Sequence, residues 1–150
     1  MKSSLASLLA TLALSCATAS SAPADADAEI AIRSVLQAQA AAWNRGDIDG
    51  YMDGYARDSK TEFVGGDTLT RGWQTVRDRY KKKYDSRAKM GTLNFSEVQI
   101  TLLCAESALV TGRWKLARQN DQPHGRFTLL WRKRPEGWRI VHDHSSAAEH

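Results

Sequence analysis

Apolar and polar residues alternate with two different periods along this chain, and the period changes near Gly91. Before that glycine, apolar residues recur at every third or fourth position, which places them along one face of an α-helix. After it, they recur mostly at every second position, which is the spacing of a half-buried β-strand. Helices followed by a run of strands predict an α+β domain.

The first part of the chain predicts three helices and one short hairpin. The first helix begins at a cap formed by Asp25 or Asp27 and ends near Asn44. Asp47 caps the second helix, residues 60–64 pair with 68–71 around a turn at 65–67, and Gly72 opens the third helix. The inner faces of these helices carry Ile32, Val35, Leu36, Gln39, Ala42 and Trp43, then Ile48, Tyr51, Met52 and Tyr55, then Trp73, Val76, Arg77, Tyr80 and Tyr84.

Four longer strands are predicted at 92–103, 108–118, 126–134 and 138–145. In the first, apolar residues occupy odd positions up to 95 and mainly even positions from 98, which predicts a β-bulge near Ser96 and Glu97. A bulge bends a sheet. The expected fold is therefore a cone-shaped barrel, made of a strongly curved antiparallel sheet with the three N-terminal helices on its concave face.

The last strand carries the most distinctive pattern of the chain. Trp138, Ile140, His142 and His144 lie at alternate positions, so regular alternation places all four side chains on one face. Two imidazoles beside two large apolar groups resemble one wall of a pocket. Asp143 falls on the opposite face, where an arginine at position 132 or 134 of the neighbouring strand would pair with it.

The composition indicates one globular domain with ordinary surface chemistry. The 150 residues are 42% hydrophobic and 25% charged, with a formal net charge of +4. The basic clusters at 81–83 and 132–134 are not interleaved with exposed aromatic residues, so nucleic acid is not expected as a partner.

The N-terminus has the pattern of a secretory signal peptide: Lys2, an apolar run at 5–14, and small residues up to position 22. We expect residues 1–19 to be removed, with cleavage as late as 22, and the mature protein to be periplasmic or secreted. A lipoprotein attached through Cys16 is the alternative. The apolar run is shorter than the roughly 20 residues that span a bilayer, so no membrane span is predicted. Cys104 would remain as a lone cysteine, predicted to be a buried small side chain.

The order of elements resembles the nuclear transport factor 2-like superfamily. The likeness rests on the Trp-Asn-Arg-Gly-Asp turn from Trp43 to Asp47, on Gly72, and on the Gly-Trp-Arg-Ile-Val-His-Asp-His-Ser strand at 137–145. Within that superfamily the chain resembles the SnoaL-like and uncharacterised groups over residues 28–146. Its terminal strand resembles that of the calcium/calmodulin-dependent kinase II association domain.

The resemblance implies a fold more than an activity, because the superfamily contains isomerases, cyclases, transport factors and assembly hubs. Aligned with ketosteroid isomerase relatives, the position of the carboxylate base falls at Phe63 and that of the oxyanion tyrosine at Gln39. Aligned with the kinase association domain, the positions of its carboxylate-binding arginines fall at Trp114 and Leu129. None of these four residues can perform the corresponding role.

A pocket is expected between the inner helix faces and the concave sheet face. Aromatic rings there would suit a small, largely apolar molecule. The alternative is that the rings fill the cone and leave no cavity. The candidate ligand-binding residues are Trp43, Tyr55, Phe63, Trp73, Trp114, Phe127, Leu129 and His144.

The two histidines are also the candidate catalytic residues. His144 and His142 could act as acid and base with help from Tyr55 or Glu62, because imidazole exchanges protons near neutral pH. One packed and one rim histidine with structural roles is the alternative. A third metal ligand with diagnostic spacing is missing, so neither a metal nor another cofactor is predicted. Arg77, on an apolar helix face, would pair with an acid at 58 or 62 or contact a ligand anion.

Three functions follow from these patterns. The first is an exported domain that binds a small apolar molecule. The second is an isomerase or lyase that uses a pocket histidine, and the third is an oligomerisation module with a filled core. A homodimer is expected, formed through the outer sheet face with Trp131 among basic residues.

Overall fold

The structure, a computed structural model, describes residues 22–148. The predicted signal peptide and the alternative lipid-attachment residue Cys16 lie outside the described residues. Within residues 22–148, no helix has the length and apolar character needed to cross a membrane.

Two helices precede the first hairpin. Helix α1 spans Ala22–Asn44 and α2 spans Ile48–Met52. Asp47 caps α2 as predicted, since its carboxylate accepts a hydrogen bond of 2.7 Å from the backbone N–H of Gly50. The second helix is shorter than predicted, and Tyr55 lies beyond its end, where it forms an isolated parallel bridge with Ile140. This bridge ties the helical layer to the last strand.

The two remaining helices come after the first hairpin. The hairpin consists of β1 at Glu62–Gly65 and β2 at Thr68–Arg71. Helix α3 spans Trp73–Lys83, opened by Gly72 as predicted, and a fourth helix, α4, spans Arg87–Met90. The hairpin before α3 agrees with the prediction, and the expectation of three helices is corrected to four because α4 was not predicted. Helix α4 has a single turn, which is too short to show an apolar period.

The six strands form one mixed, open sheet. After α4 come β3 at Thr92–Cys104, β4 at Ser107–Ala117, β5 at His124–Arg134 and β6 at Gly137–Ser145. The order is β2-β1-β6-β5-β4-β3, and β1 pairs with β6 in parallel. The predicted all-antiparallel barrel is thus wrong in two respects: one pairing is parallel, and β2 and β3 remain as edges. Sequence periodicity carries no information on the direction of a pairing between distant strands.

Of the three register shifts in the sheet, one lies at the end of β3 between Leu102 and Cys104, and the other two are bulges that shape the concave face. The predicted one is present in β3, where the register shifts between Ser96 and Gln99 and Glu97 has a φ of 51°. The second was not predicted. It lies in β6, where Leu130 is opposite His142 but Trp131 is opposite Ile140, so Val141 has no partner.

The bulge in β6 reverses the faces predicted for the end of that strand. Trp138 and Ile140 point inward as expected, but beyond Val141 the inward residue is Asp143, which is only 3% exposed. His142 and His144 point to the outer side, where His144 is exposed. A single extra residue moves every following side chain to the opposite face.

Two further expectations about burial are corrected. Trp131 is fully buried because it shares the inner face of β5 with Phe127 and Leu129 at alternate positions. Cys104 is exposed, since it ends β3 at the turn into β4 and lies beyond the part of the strand that the helices cover.

Candidate functional site

A cavity of about 270 Å³ lies between the helices and the concave face of the sheet. Most of its wall is aromatic and aliphatic, with contributions from α1, α2, α3 and strands β1, β3, β4, β5 and β6. Among the predicted ligand-binding residues, those around the cavity are Trp43, Tyr55, Phe63, Trp114, Phe127 and Leu129. The alternative, in which the rings fill the cone and leave no cavity, does not agree with this space.

Two of the predicted ligand-binding residues do not line the cavity. His144 lies on the outer face of β6. Trp73 instead joins the second and third helices: its indole N–H donates a hydrogen bond of 2.9 Å to the carbonyl of Met52. The guanidinium of Arg57 stacks on the same ring at 4.8 Å from its centroid. Trp73 therefore holds α3 in place outside the cavity.

Asp143 is the carboxyl group of the cavity. It lies opposite Leu129 in the register of β5 and β6. The hydroxyl of Tyr55 donates a hydrogen bond of 2.6 Å to Oδ2, and the hydroxyl of Ser145 donates one of 2.7 Å to Oδ1. Burial raises the pKa of Asp143 to about 6, although both hydrogen bonds oppose that rise. The predicted partner arginine at position 134 pairs instead with Asp58 at 3.1 Å.

Four tyrosines and one tryptophan form a continuous ring cluster above Asp143. Trp43 has edge contacts with Tyr51 and Tyr84 at centroid distances of 5.1 and 4.7 Å, and Tyr51 lies 6.0 Å from Tyr55 and 5.3 Å from Tyr80. Burial raises the pKa of Tyr51, Tyr55 and Tyr80 above its usual range. Their hydroxyls are thus neutral hydrogen-bonding groups at physiological pH.

Gln39 supplies a second polar group to the cavity wall. Its side chain is 2% exposed, and its amide nitrogen donates a hydrogen bond of 3.0 Å to the carbonyl of Tyr51. Within the described part of the chain, its amide oxygen accepts no hydrogen bond. A buried acceptor without a donor is costly, so this oxygen is a place where a ligand donor would be stabilised.

The two histidines occupy the opposite side of the sheet from the cavity. Nδ1 of His142 lies 2.9 Å from Oε2 of Glu62, whose other oxygen accepts a hydrogen bond of 2.7 Å from Arg71. The Arg71 guanidinium and His142 lower the pKa of Glu62. The predicted catalytic pair of His142 and His144 is therefore not brought to the cavity, because the bulge at Val141 turns both outward.

Two other predictions concern metal ligands and Arg77. Within residues 22–148, no three His, Cys, Asp or Glu side chains are grouped as metal ligands. Arg77 pairs with Asp49 and, at 3.4 Å, with Asp78, rather than with the predicted acids at 58 and 62. Asp49 and Asp78 thus supply the counter-charge of Arg77, and Asp49 also pairs with Lys81 at 2.8 Å.

The cavity opens beside two other cations of α3. Arg79 stacks on the ring of Phe63 at 4.9 Å and donates a hydrogen bond of 2.6 Å to Oγ1 of Thr70. The ammonium of Lys83 lies 5.3 Å from the centroid of Tyr84. Both line the cavity, and neither forms an ion pair with an acid within residues 22–148.

Comparison with known proteins agrees with this architecture. The model of the SnoaL-like domain matches residues 32–149. The chain belongs to the SnoaL-like family. Its resemblance to that family, inferred above from the Trp43 turn and the last strand, is thus confirmed. No curated protein matches its sequence significantly.

Solved structures of several other proteins share the fold of this SnoaL-like protein. An NTF-2-like protein of unknown function from Shewanella oneidensis MR-1 is 39% identical, with a TM-score of 0.75 over 79% of this chain and 98% of that one. A nuclear transport factor 2-like superfamily protein from Salmonella enterica serovar Typhimurium LT2 is 20% identical, with a TM-score of 0.67 over 84% and 94%.

A third structure, described as a putative calcium/calmodulin-dependent protein kinase II association domain from Xanthomonas campestris, is 17% identical. Its TM-score is 0.63 over 79% of this chain and 86% of that one. At this level of identity the likeness is one of fold. The function of this chain must therefore be inferred from the cavity itself.

Proposed function

We propose that this SnoaL-like protein binds a small, largely apolar molecule in its cavity, with a polar group of that molecule against Asp143. The observation that carries the proposal is a carboxyl group buried at the wall of an aromatic cavity. A cavity that is mostly apolar with a few converging polar groups is typical of small-molecule sites. Its volume of about 270 Å³ suits a ligand of one or two rings.

The chemistry of the wall supports this assignment. Burying a carboxyl group is unfavourable unless something compensates for its lost hydration. Tyr55 and Ser145 compensate in part, and the side chain of Gln39 adds a second polar group to the wall. The flat rings of Trp43, Phe95 and Phe127 offer edges and faces for packing against an apolar body.

A second candidate function is acid–base catalysis by Asp143. A carboxyl group with a pKa of about 6 can hold or accept a proton near neutral pH. This is the isomerase or lyase hypothesis with Asp143 in place of the outward-facing histidines.

Export and dimerisation are further parts of the proposal. The signal-peptide pattern at 1–19 supports a periplasmic or secreted protein. For the dimer, Trp131 no longer contributes, because it is buried. A row formed by Leu109, Leu130 and His142 across the outer face of β4, β5 and β6 supports self-association instead.

Native mass spectrometry of the protein purified from its own cellular compartment tests the binding function. We expect a mass excess that disappears on denaturation and gives the mass of the carried molecule. Leu129→Trp, which fills the cavity beside Asp143, should remove the excess. Leu130→Trp, on the outer face of the same strand, is the matched control and should keep it.

The outcomes separate the candidates. An identical excess in both variants would contradict binding in this cavity. If the protein is an enzyme, the molecule released by denaturing Asp143→Asn should differ from that of the wild type, because substrate would accumulate in place of product. A lyase would give a different mass, and an isomerase would give the same mass with a different chromatographic retention. Identical molecules in both would support a binding protein without turnover.

A further inference from the structure

We infer that the ligand is an amphipathic acid: an apolar ring body that carries a carboxylate at the cavity mouth and a neutral hydroxyl at the inner end. This inference rests on the proposed binding function and names the class of molecule that the same cavity would take. It follows from how charge is distributed between the mouth and the wall.

The cations of α3 are divided between two sides of the helix. Arg77 and Lys81 both pair with Asp49, and Arg77 also pairs with Asp78. Arg79 and Lys83, also four residues apart and therefore neighbours on the helix surface, face the cavity and have no acidic partner within residues 22–148. Two of the cations that point away from the cavity thus have acidic partners, whereas the two at its mouth have none within residues 22–148.

The geometry of the mouth leaves these cations accessible to a ligand. Gly65 and Gly66 form the facing lip and present no side chains. A Cβ added at Gly65 would stand 3.3 Å from Nη2 of Arg79 and 2.8 Å from the ring of Phe63. The guanidinium therefore lies directly over the lip, held by Thr70 and the Phe63 ring, with donors available for a carboxylate.

The inner wall has the opposite requirement. Asp143 would repel a ligand carboxylate placed beside it, so the acid group of a bound molecule must lie at the mouth. The amide oxygen of Gln39 is an acceptor without a partner but is fully buried, and its amide nitrogen donates to the carbonyl of Tyr51. Asp143 is therefore the group of the inner wall to which a ligand hydroxyl can donate. A ligand with its hydroxyl donor at the inner wall and its carboxylate at the mouth would bind in one orientation.

Isothermal titration at pH 7.5 with three matched probes tests the inference. The probes are 6-hydroxy-2-naphthoic acid, its neutral amide, and 2-naphthol, which keeps the ring and the hydroxyl alone. We expect the wild type to bind the acid about tenfold tighter than the amide, as for a charge-assisted contact. Raising NaCl from 50 to 500 mM should weaken binding of the acid more than that of 2-naphthol.

Variants of the mouth locate the effect. Arg79→Gln with Lys83→Gln should bring the acid and the amide to within about twofold of each other while leaving 2-naphthol affinity unchanged. Lys82→Gln removes one exposed charge of the same helix away from the cavity and should keep the tenfold preference. Lys83→Gln alone, which breaks no hydrogen bond or ion pair described here, should reduce the preference in a fully folded protein.

Each outcome bears on a different claim. If 2-naphthol binds but the acid binds no tighter than its amide, the acid inference is overturned and the binding function stands. The same holds if the acid keeps its preference over the amide in the variant with both Arg79→Gln and Lys83→Gln. If the acid binds tightly and 2-naphthol binds weakly, the binding function and the acid inference are both supported. If none of the three probes binds, the inference falls, and the mass-spectrometric test decides the binding function by itself.

Discussion

Asp143 is a carboxyl group held among aromatic rings, and its surroundings decide what the cavity can do. Only two hydroxyls, those of Tyr55 and Ser145, replace the water that it would have at a surface. The rings of Tyr51 and Tyr80 lie close by, and His142 and His144 face the other side of the sheet. The protonated form is therefore favoured by burial at pH values where an ordinary aspartate is ionised.

Replacing this carboxyl by an amide gives a pH-dependent change in stability. The folded-state pKa of Asp143, about 6, lies above the ordinary value of 3.8, so the folded protein binds the proton more tightly. Stability of the wild type therefore falls as pH rises from about 4 to about 6 and then stays level. Asp143→Asn should raise the free energy of unfolding by about 2–3 kcal/mol at pH 8 and by little at pH 4.

Urea unfolding at the two pH values measures this difference. Asp67→Asn, in the exposed turn of the first hairpin, is the matched control and should change little at either pH. A gain of equal size at pH 4 and pH 8 would contradict the linkage and indicate a packing effect of the amide.

Residue types indicated the rings of the site but not its polar group. Trp43, Phe63 and Phe127 were predictable because large apolar side chains recur on the inner faces of predicted elements. Asp143 was not, because strict alternation in β6 assigns it to the outer face. The available signal was a carboxyl group after a run of apolar residues, with a serine two positions later that can donate a hydrogen bond to it.

At the scale of elements, the two bulges show what periodicity can and cannot reveal. In β3 the apolar residues change parity across Ser96 and Glu97, so the bulge was visible in the sequence. In β6 the extra residue, Val141, follows Ile140, and two consecutive apolar residues satisfy either parity. The polar residues after them then carry no marker of which face they take.

The bulge in β3 gives a prediction about its backbone. Glu97 has a φ of 51°, a left-handed conformation that costs a residue with a side chain about 1 kcal/mol relative to glycine. Glu97→Gly and Glu97→Ala both remove the ion pairs of 3.6 and 3.4 Å with Arg113 and Arg126. The glycine variant should nevertheless be more stable than the alanine variant by about 1 kcal/mol.

Thermal and urea unfolding of the two variants measure that difference, and the shared loss of charge cancels in the comparison. Equal stabilities would mean that the strand relaxes its backbone at this position. A more stable alanine variant would contradict the bulge itself, since alanine is favoured over glycine in a regular strand.

At the scale of the molecule, the helices and the hairpin were predictable in type, and their arrangement on the sheet only in part. The cap residue Asp47 and the turn residue Gly72 marked where α2 and α3 begin, because such signals act locally. The parallel contact of β1 with β6 joins segments far apart in the chain, and nothing in either segment specifies its direction. The same holds for the cavity, whose wall combines side chains from nearly every element.

The proposed dimer is tested at this scale. Leu109 is 36% exposed on the outer face of β4, opposite Leu130. Leu109→Lys places a further cation in a face that already carries Arg113 and Arg132, so we expect it to shift a dimer to monomer. Sedimentation velocity over a range of concentrations measures the change.

Leu69→Lys is the matched control, since Leu69 is 46% exposed on the edge strand β2, which β1, β6 and β5 separate from the strand that carries Leu109. It should leave the dimer intact. A wild-type protein that sediments as a monomer at every concentration would contradict the dimer proposal.

The position of β6 also governs when the domain can form during synthesis. This strand lies between β1 and β5, so the first hairpin has no sheet to join until residues 137–145 have been made. A two-stranded hairpin is marginal by itself, and pairings between distant segments form slowly. The complete sheet therefore cannot form until the last strand emerges. If the chain is exported as proposed, that delay favours the extended form that a translocation channel can thread.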